Sequence, residues 1–165
     1  MKKILFLDFD GVLNNTNFLR EESKTNPDAF RCLDPENCKN LKWILFKIPD
    51  LQIVISSTWR ILYTMFELKK KLSEHGIQPC RIVDRTPRLT LSGTIRGLEI
   101  QRWLDDNIKD ECQFIILDDD SDMGDLFKYL LNIDRYVGLN NGYAQRVVEW
   151  FEGCRGHWRK PLICQ

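Results

Sequence analysis

Apolar residues along this chain fall into two patterns, short unbroken runs and longer stretches in which they recur every three or four positions. The first run, Ile4–Leu7, ends in an acidic, glycine-containing turn, Asp8-Phe9-Asp10-Gly11. Such a run suits a strand buried on both faces of a parallel sheet. Similar runs at Gln52–Ser56, Arg81–Val83, Phe114–Leu117 and Arg135–Val137 predict further strands.

Helical spacing fills the intervals. Asp34 as N-cap and Pro35 in the first turn predict the start of a helix that carries Cys38, Leu41 and Leu45 on one face. A second helix, ending at Gly76, carries Leu62, Met65, Phe66 and Leu72. A third reads Ile100, Trp103, Leu104, a fourth Met123, Leu126, Phe127, Leu130, and a last Ala144, Val147, Val148, Phe151. These stripes read as core. The alternation of strands and helices implies an α/β fold with a parallel sheet. Asn14–Arg31 is polar and aperiodic, so residues 14–33 read as a loop or small flap, and residues 154–165 as an unpatterned tail.

A length of 165 residues with 43% hydrophobic content predicts one domain over 1–165. With 24 basic and 24 acidic residues there is no global field to gather nucleic acid or an anionic membrane, and any polyanion site must be local. The six cysteines form no CxxC pair and no cysteine–histidine cluster, which leaves buried or idle thiols and a reducing, cytoplasmic compartment as the expectation. The apolar run after Met1-Lys2-Lys3 is broken at Asp8 and Asp10, and no stretch approaches membrane-spanning length.

The polar residues gather where chemistry is expected in such a sheet, at the carboxyl ends of the strands. The first strand ends in Asp8 and Asp10, the second in Ser56-Ser57-Thr58, and the fourth in Asp118-Asp119-Asp120 with Asp122 beyond. Carboxylates packed together repel by about 4 kcal/mol per close pair at an effective dielectric near 20, so something positive belongs among them. An oxygen-rich set open on one side suits Mg2+. A calcium loop is excluded, because a strand precedes the DxDG and no glutamate follows at the required place.

FLDFDGVLN, IVISSTWR and FIILDDDSDM, in that order, resemble the signature of the haloacid dehalogenase-like (HAD) phosphatase superfamily. DGVLN, SSTWR and RGLEIQRWL together resemble the compact HAD domains of multi-enzyme RNA-repair proteins. The resemblance implies a Rossmann-like three-layer sandwich of about five parallel strands in the order 3-2-1-4-5, capless or with a minimal flap. It implies Asp8 as the nucleophile forming an aspartyl-phosphate, and Asp10 as the acid and base that also binds metal through its backbone carbonyl. Ser56 is the implied phosphate-binding hydroxyl, with Ser57 the register alternative, and Arg96 stands where many relatives place lysine. Asp118 and Asp119 match the acidic pair that holds Mg2+, while Asp122 matches the acid of another version of the motif.

Plainer readings accompany these. Arg96 could pair with Glu99 along its helix, the serines could cap a turn, and Asp120 is the expected bystander. Trp59, His75 and His157 are assigned no chemistry. Arg60, Arg85 and Arg88 are expected to border the site, where guanidinium forks suit further phosphates of a nucleic-acid end. The expected substrate is therefore a nucleotide or an RNA or DNA 3′-phosphate end, with a kinase or ligase as partner in repair. A phosphoprotein, a small metabolite, or a non-catalytic binding role are the alternatives.

Overall fold

The computed structural model describes residues 1–89 and 95–160. Strands β1 (Lys2–Leu7), β2 (Leu51–Ile55), β3 (Ile82–Arg85), β4 (Glu111–Asp118) and β5 (Leu130–Asn132) lie in the order β3-β2-β1-β4-β5 and are mutually parallel. Register aligns Leu7 with Ile55 and with Leu117, so the residues that follow, Asp8, Ser56 and Asp118, emerge side by side.

Alternation along β1 divides the core in two. Leu5 and Leu7 face a layer made by α2 (Pro35–Lys47), α4 (Met65–Glu74) and α6 (Asn141–Glu152), while Ile4 and Phe6 face α5 (Arg96–Asn107) and the 3-10 turn Gly124–Tyr129. That makes the three-layer α/β sandwich expected from the sequence. Asp34 caps α2 by accepting the Glu36 N–H, with Pro35 in the first turn, and a Thr64–Glu67 capping box opens α4.

Several elements depart from expectation. The fifth strand is Leu130–Asn132 rather than Arg135–Val137, because Asp134 accepts the Tyr136 N–H and turns the chain there. The fourth helix is a 3-10 turn, and its buried cap residue Met123 and buried Leu126 and Tyr129 follow a period of three, which leaves Phe127 58% exposed. The second helix breaks at Tyr63, between α3 (Trp59–Leu62) and α4. Leu62 and Phe66 thereby fall out of the buried stripe, at 75% and 77% exposure, while Leu68 and Leu72 form it.

The 14–33 segment is ordered: α1 (Thr16–Glu22) is capped by Asn15, and a 3-10 turn covers Ala29–Arg31. With no buried residue, α1 leaves no apolar stripe in the sequence. The flap is pinned where Thr16 N–H meets the Arg135 carbonyl at 2.8 Å and Asp34 N–H meets that of Leu13 at 2.7 Å.

The expected tail contains β6 (His157–Arg159), antiparallel to Glu111–Gln113 of β4, with Trp158 buried in the second core. Residues 161–165, including Cys164, lie outside the described residues. Cys38 and Cys112 are buried and their thiols pushed up to about 12 by that burial, which keeps them inert. Among the described residues no helix is long and apolar enough to cross a membrane.

Candidate active site

Asp8 leaves β1 with its N–H still paired to the Leu117 carbonyl at 3.0 Å, so its position is fixed by the sheet itself. Its Oδ1 accepts the Phe9 N–H at 2.8 Å and lies 3.2 Å from Nη1 of Arg96. The Ser57 Oγ, next along from Ser56, accepts the Trp59 N–H at 3.3 Å. Burial pushes the Asp8 carboxyl up, against the opposing pull of Arg96, Ser57 and the Phe9 amide.

Asp118, at the end of β4, is fully buried. Its Oδ1 accepts the Asp120 N–H at 2.9 Å, and its Oδ2, 3.3 Å from Arg96 Nε, has no hydrogen-bond partner. Burial, then repulsion from Asp8, pushes Asp118 up to about 8. Asp119 is raised by burial despite its 2.9 Å ion pair with Arg135. A Cβ at Gly11, whose φ is +72°, would stand 2.5 Å from the Asp119 carboxylate, so this turn requires glycine on both backbone and steric grounds.

Arg96 heads α5 and bridges Asp8 and Asp118, while its Nη1 also donates to the Ser56 carbonyl at 2.7 Å. Burial opposes its charge, but Asp8, Asp118 and Asp122 outweigh that and hold it protonated. Its place is set by Asp122, whose Oδ2 accepts the Arg96 N–H at 2.9 Å and whose carbonyl accepts that of Gly97 at 3.1 Å. A Cβ on Gly97 would meet the Met123 carbonyl at 2.0 Å, so only glycine lets the helix end dock so closely. The suggested Arg96–Glu99 pairing does not form, since Glu99 is taken by Arg60.

Carboxylate oxygens of Asp8, Asp118 and Asp119 lie within 4.8 Å of one another. Asp122 serves instead as the remote cap of α5, and Asp10 brings no carboxylate to the cluster. Arg96 and Arg135 are two guanidiniums against three clustered acids, and an Asp118 Oδ2 that has an ion pair but no hydrogen bond, together with the raised Asp118, marks the deficit. An all-oxygen donor set of this kind fits a hard divalent cation.

The arginines separate. Arg60 is buried, with its guanidinium given to the carbonyls of Ser56, Ser57, Thr86 and Pro87 and to Glu99, and it lines the wall of the cavity that Arg96 also borders. Burial lowers its pKa, with Glu99 opposing. Arg85 is spent on the carbonyls of Arg60 and Tyr63. Arg88 is exposed beside a cavity of about 220 Å³ next to the acids, which Thr58, Ile61, Leu89 and Arg96 also line.

Three contacts lie outside the sequence expectations, those of Trp59 and Asn14 with Asp10 and that of Arg135 with Asp119. Trp59 packs edge-on to Phe9, as expected of a packing residue, but its Nε1 also donates to Asp10 Oδ2 at 2.9 Å. Asn14, inside DGVLN, donates to Asp10 Oδ1 at 2.8 Å. Their places beside the acidic and hydroxyl motifs were the available signal. Arg135, 16 residues beyond Asp119 in sequence, offered none.

Residues 4–144 match the model of the HAD domain in Swiss Army Knife RNA repair proteins. The chain belongs to that family. The resemblance seen in its motifs is thereby borne out, and membership in this HAD family, with its matching strand order, supports a HAD-type phosphatase. The acidic cluster is compatible with the Mg2+ that HAD domains generally use. No curated protein and no solved structure matches this HAD domain.

Proposed function

We propose that this domain hydrolyses phosphate monoesters with Mg2+ through a phosphorylated Asp8, acting on a nucleotide or a nucleic-acid end. The observation that carries this reading is Arg96 bridging Asp8 and Asp118 at the carboxyl edge of the sheet, 3.2 and 3.3 Å from their oxygens. A cation held there faces both a nucleophile and the equatorial oxygens of a phosphoryl group in line with it.

Asp8 attacks phosphorus as the bond to the leaving oxygen breaks, and Asp10 gives that oxygen its proton. Asp10 then takes a proton from water, whose attack releases inorganic phosphate and regenerates Asp8. Ser56 supplies the phosphate-binding hydroxyl, its Oγ being buried without a hydrogen-bond partner beside Asp8 at the end of β2, with Ser57 the register alternative. Asp8, Asp118, Asp119 and the Asp10 carbonyl would hold Mg2+, which supplies charge neutralisation for the transferring group.

Support for a nucleic-acid end comes from the open edge beside Arg88 and from the family's description. Removal of such a phosphate would prepare an end for a kinase or ligase partner. A reducing, cytoplasmic setting accords with inert Cys38 and Cys112.

The test is hydrolysis of para-nitrophenyl phosphate with Mg2+ and with EDTA, then turnover of a 3′-phosphorylated oligonucleotide, a phosphopeptide and free nucleotides. The proposal expects Mg2+-dependent activity and preference for the oligonucleotide or nucleotide. Preference for the phosphopeptide overturns the substrate class, and inactivity on every substrate leaves a binding role for the fold.

A further inference from the structure

Asp10 is held by two neutral donors from separate elements, Asn14 Nδ2 on Oδ1 at 2.8 Å and Trp59 Nε1 on Oδ2 at 2.9 Å. Neither donor is free to wander. Asn14 is buried, and its Oδ1 accepts the Gly11 N–H at 3.2 Å. Trp59, 4% exposed, stands edge-on to Phe9 at 5.2 Å and beside Tyr63 at 5.5 Å, with the Lys71 ammonium 5.6 Å from its ring centroid. An indole N–H can only donate, and a carboxyl oxygen that accepts it retains a further site for a proton. Asp10 itself is exposed, so that site is open to solvent and substrate.

We infer that Trp59, with Asn14, is a positioning residue that fixes the Asp10 carboxyl in the orientation from which it protonates the leaving oxygen. This rests on the hydrolase reading above. An unrestrained carboxyl at the surface samples several rotamers, and only those near the leaving group transfer a proton, so the cradle converts a mobile acid into an aligned one. Asp8 attack gains nothing directly, because Trp59 makes no hydrogen bond to Asp8.

That separation dictates the experiment. Leaving groups that depart as stable anions need no proton, whereas alkoxides do. The kcat/KM of Trp59→Phe, which keeps an aromatic ring but removes the donor, should fall about 10- to 50-fold on an alkyl phosphate and less than about threefold on 2,4-dinitrophenyl phosphate. Asp10→Asn should show the same split, larger, and adding Trp59→Phe to it should widen the split no further. Should Trp59→Phe fail to fold, Asn14→Ala removes the other donor and is expected to give the same split. Equal losses on both substrates, or a split that persists when Asp10 is absent, overturn the inference while leaving the hydrolase intact. Wild type without Mg2+-dependent turnover of either ester overturns the hydrolase reading and this inference with it.

Discussion

The two ends of the sheet treat buried polarity in opposite ways. At the amino end, Arg81 donates to the carbonyls of Leu51, Pro49 and Ile48 at 3.0, 2.6 and 2.8 Å, β6 covers the start of β4, and Gln113 donates to the Arg155 carbonyl. Among the described residues, the buried side-chain atoms without a hydrogen-bond partner are Ser56 Oγ, Thr86 Oγ1, Asp118 Oδ2 and Asp122 Oδ1. All four sit at the carboxyl end. Unmet polarity costs about 1–3 kcal/mol per group, so a fold that closes one end and leaves the other open holds that end ready for a charged ligand.

Substitutions at the two ends should therefore separate stability from activity. Asp8→Asn is expected to lower kcat by at least about 10³-fold, while the melting temperature of the metal-free protein stays level or rises, because one of the crowded charges is gone. A fall in both would break the comparison.

The pH dependence of the metal-free protein tests the same crowding. Asp118 is raised from the ordinary aspartate value to about 8, so the folded state holds more protons than the unfolded one between those values. Stability is fully present below the unfolded pKa and should decline as pH rises toward 8, by a few kcal/mol in order of magnitude, as denaturant titrations would read. Asp118→Asn should flatten this decline and also abolish the rise in melting temperature produced by Mg2+ in wild type.

At the closed end the effect reverses. Arg81→Met should cost about 2 kcal/mol of stability by leaving carbonyls without their donor, with kcat per folded molecule unchanged. The smallest effect belongs to Arg135→Gln, since the arginine end of its pair with Asp119 is exposed, which holds the contribution to about 1 kcal/mol and lets it fade with salt. A larger loss there would mean that Arg135 shares the work assigned to Arg96.

Local pattern carried much of this molecule. Buried strands announce themselves by unbroken apolar runs, and Asp34-Pro35 and the strand-end acids by spacing and residue type, so the parallel sheet and the acidic edge were legible. Signals failed where they depend on partners. α1 buries nothing, β6 is three residues long and exists through pairing with β4, and Leu62 and Phe66 lost their phase when the helix broke at Tyr63.

Charge placement shows the division most clearly. Arg60 and Arg96 look alike in sequence, one after a strand-end serine pair and the other at a helix start. Only packing sends Arg60 into a nest of carbonyls and Glu99, leaving Arg96 between Asp8 and Asp118. Likewise Asp119 and Asp122 are equivalent acids in the chain, and the docking of α5 against Met123 alone makes the second a cap. The sequence by itself determined which elements form and which residue types reach the carboxyl edge, because these follow from hydrophobic period and local capping. Which arginine meets which carboxylate, and that Trp59 comes to hold Asp10, was decided by the tertiary structure, because those pairings join segments separated in the chain whose geometry exists only after the core has packed.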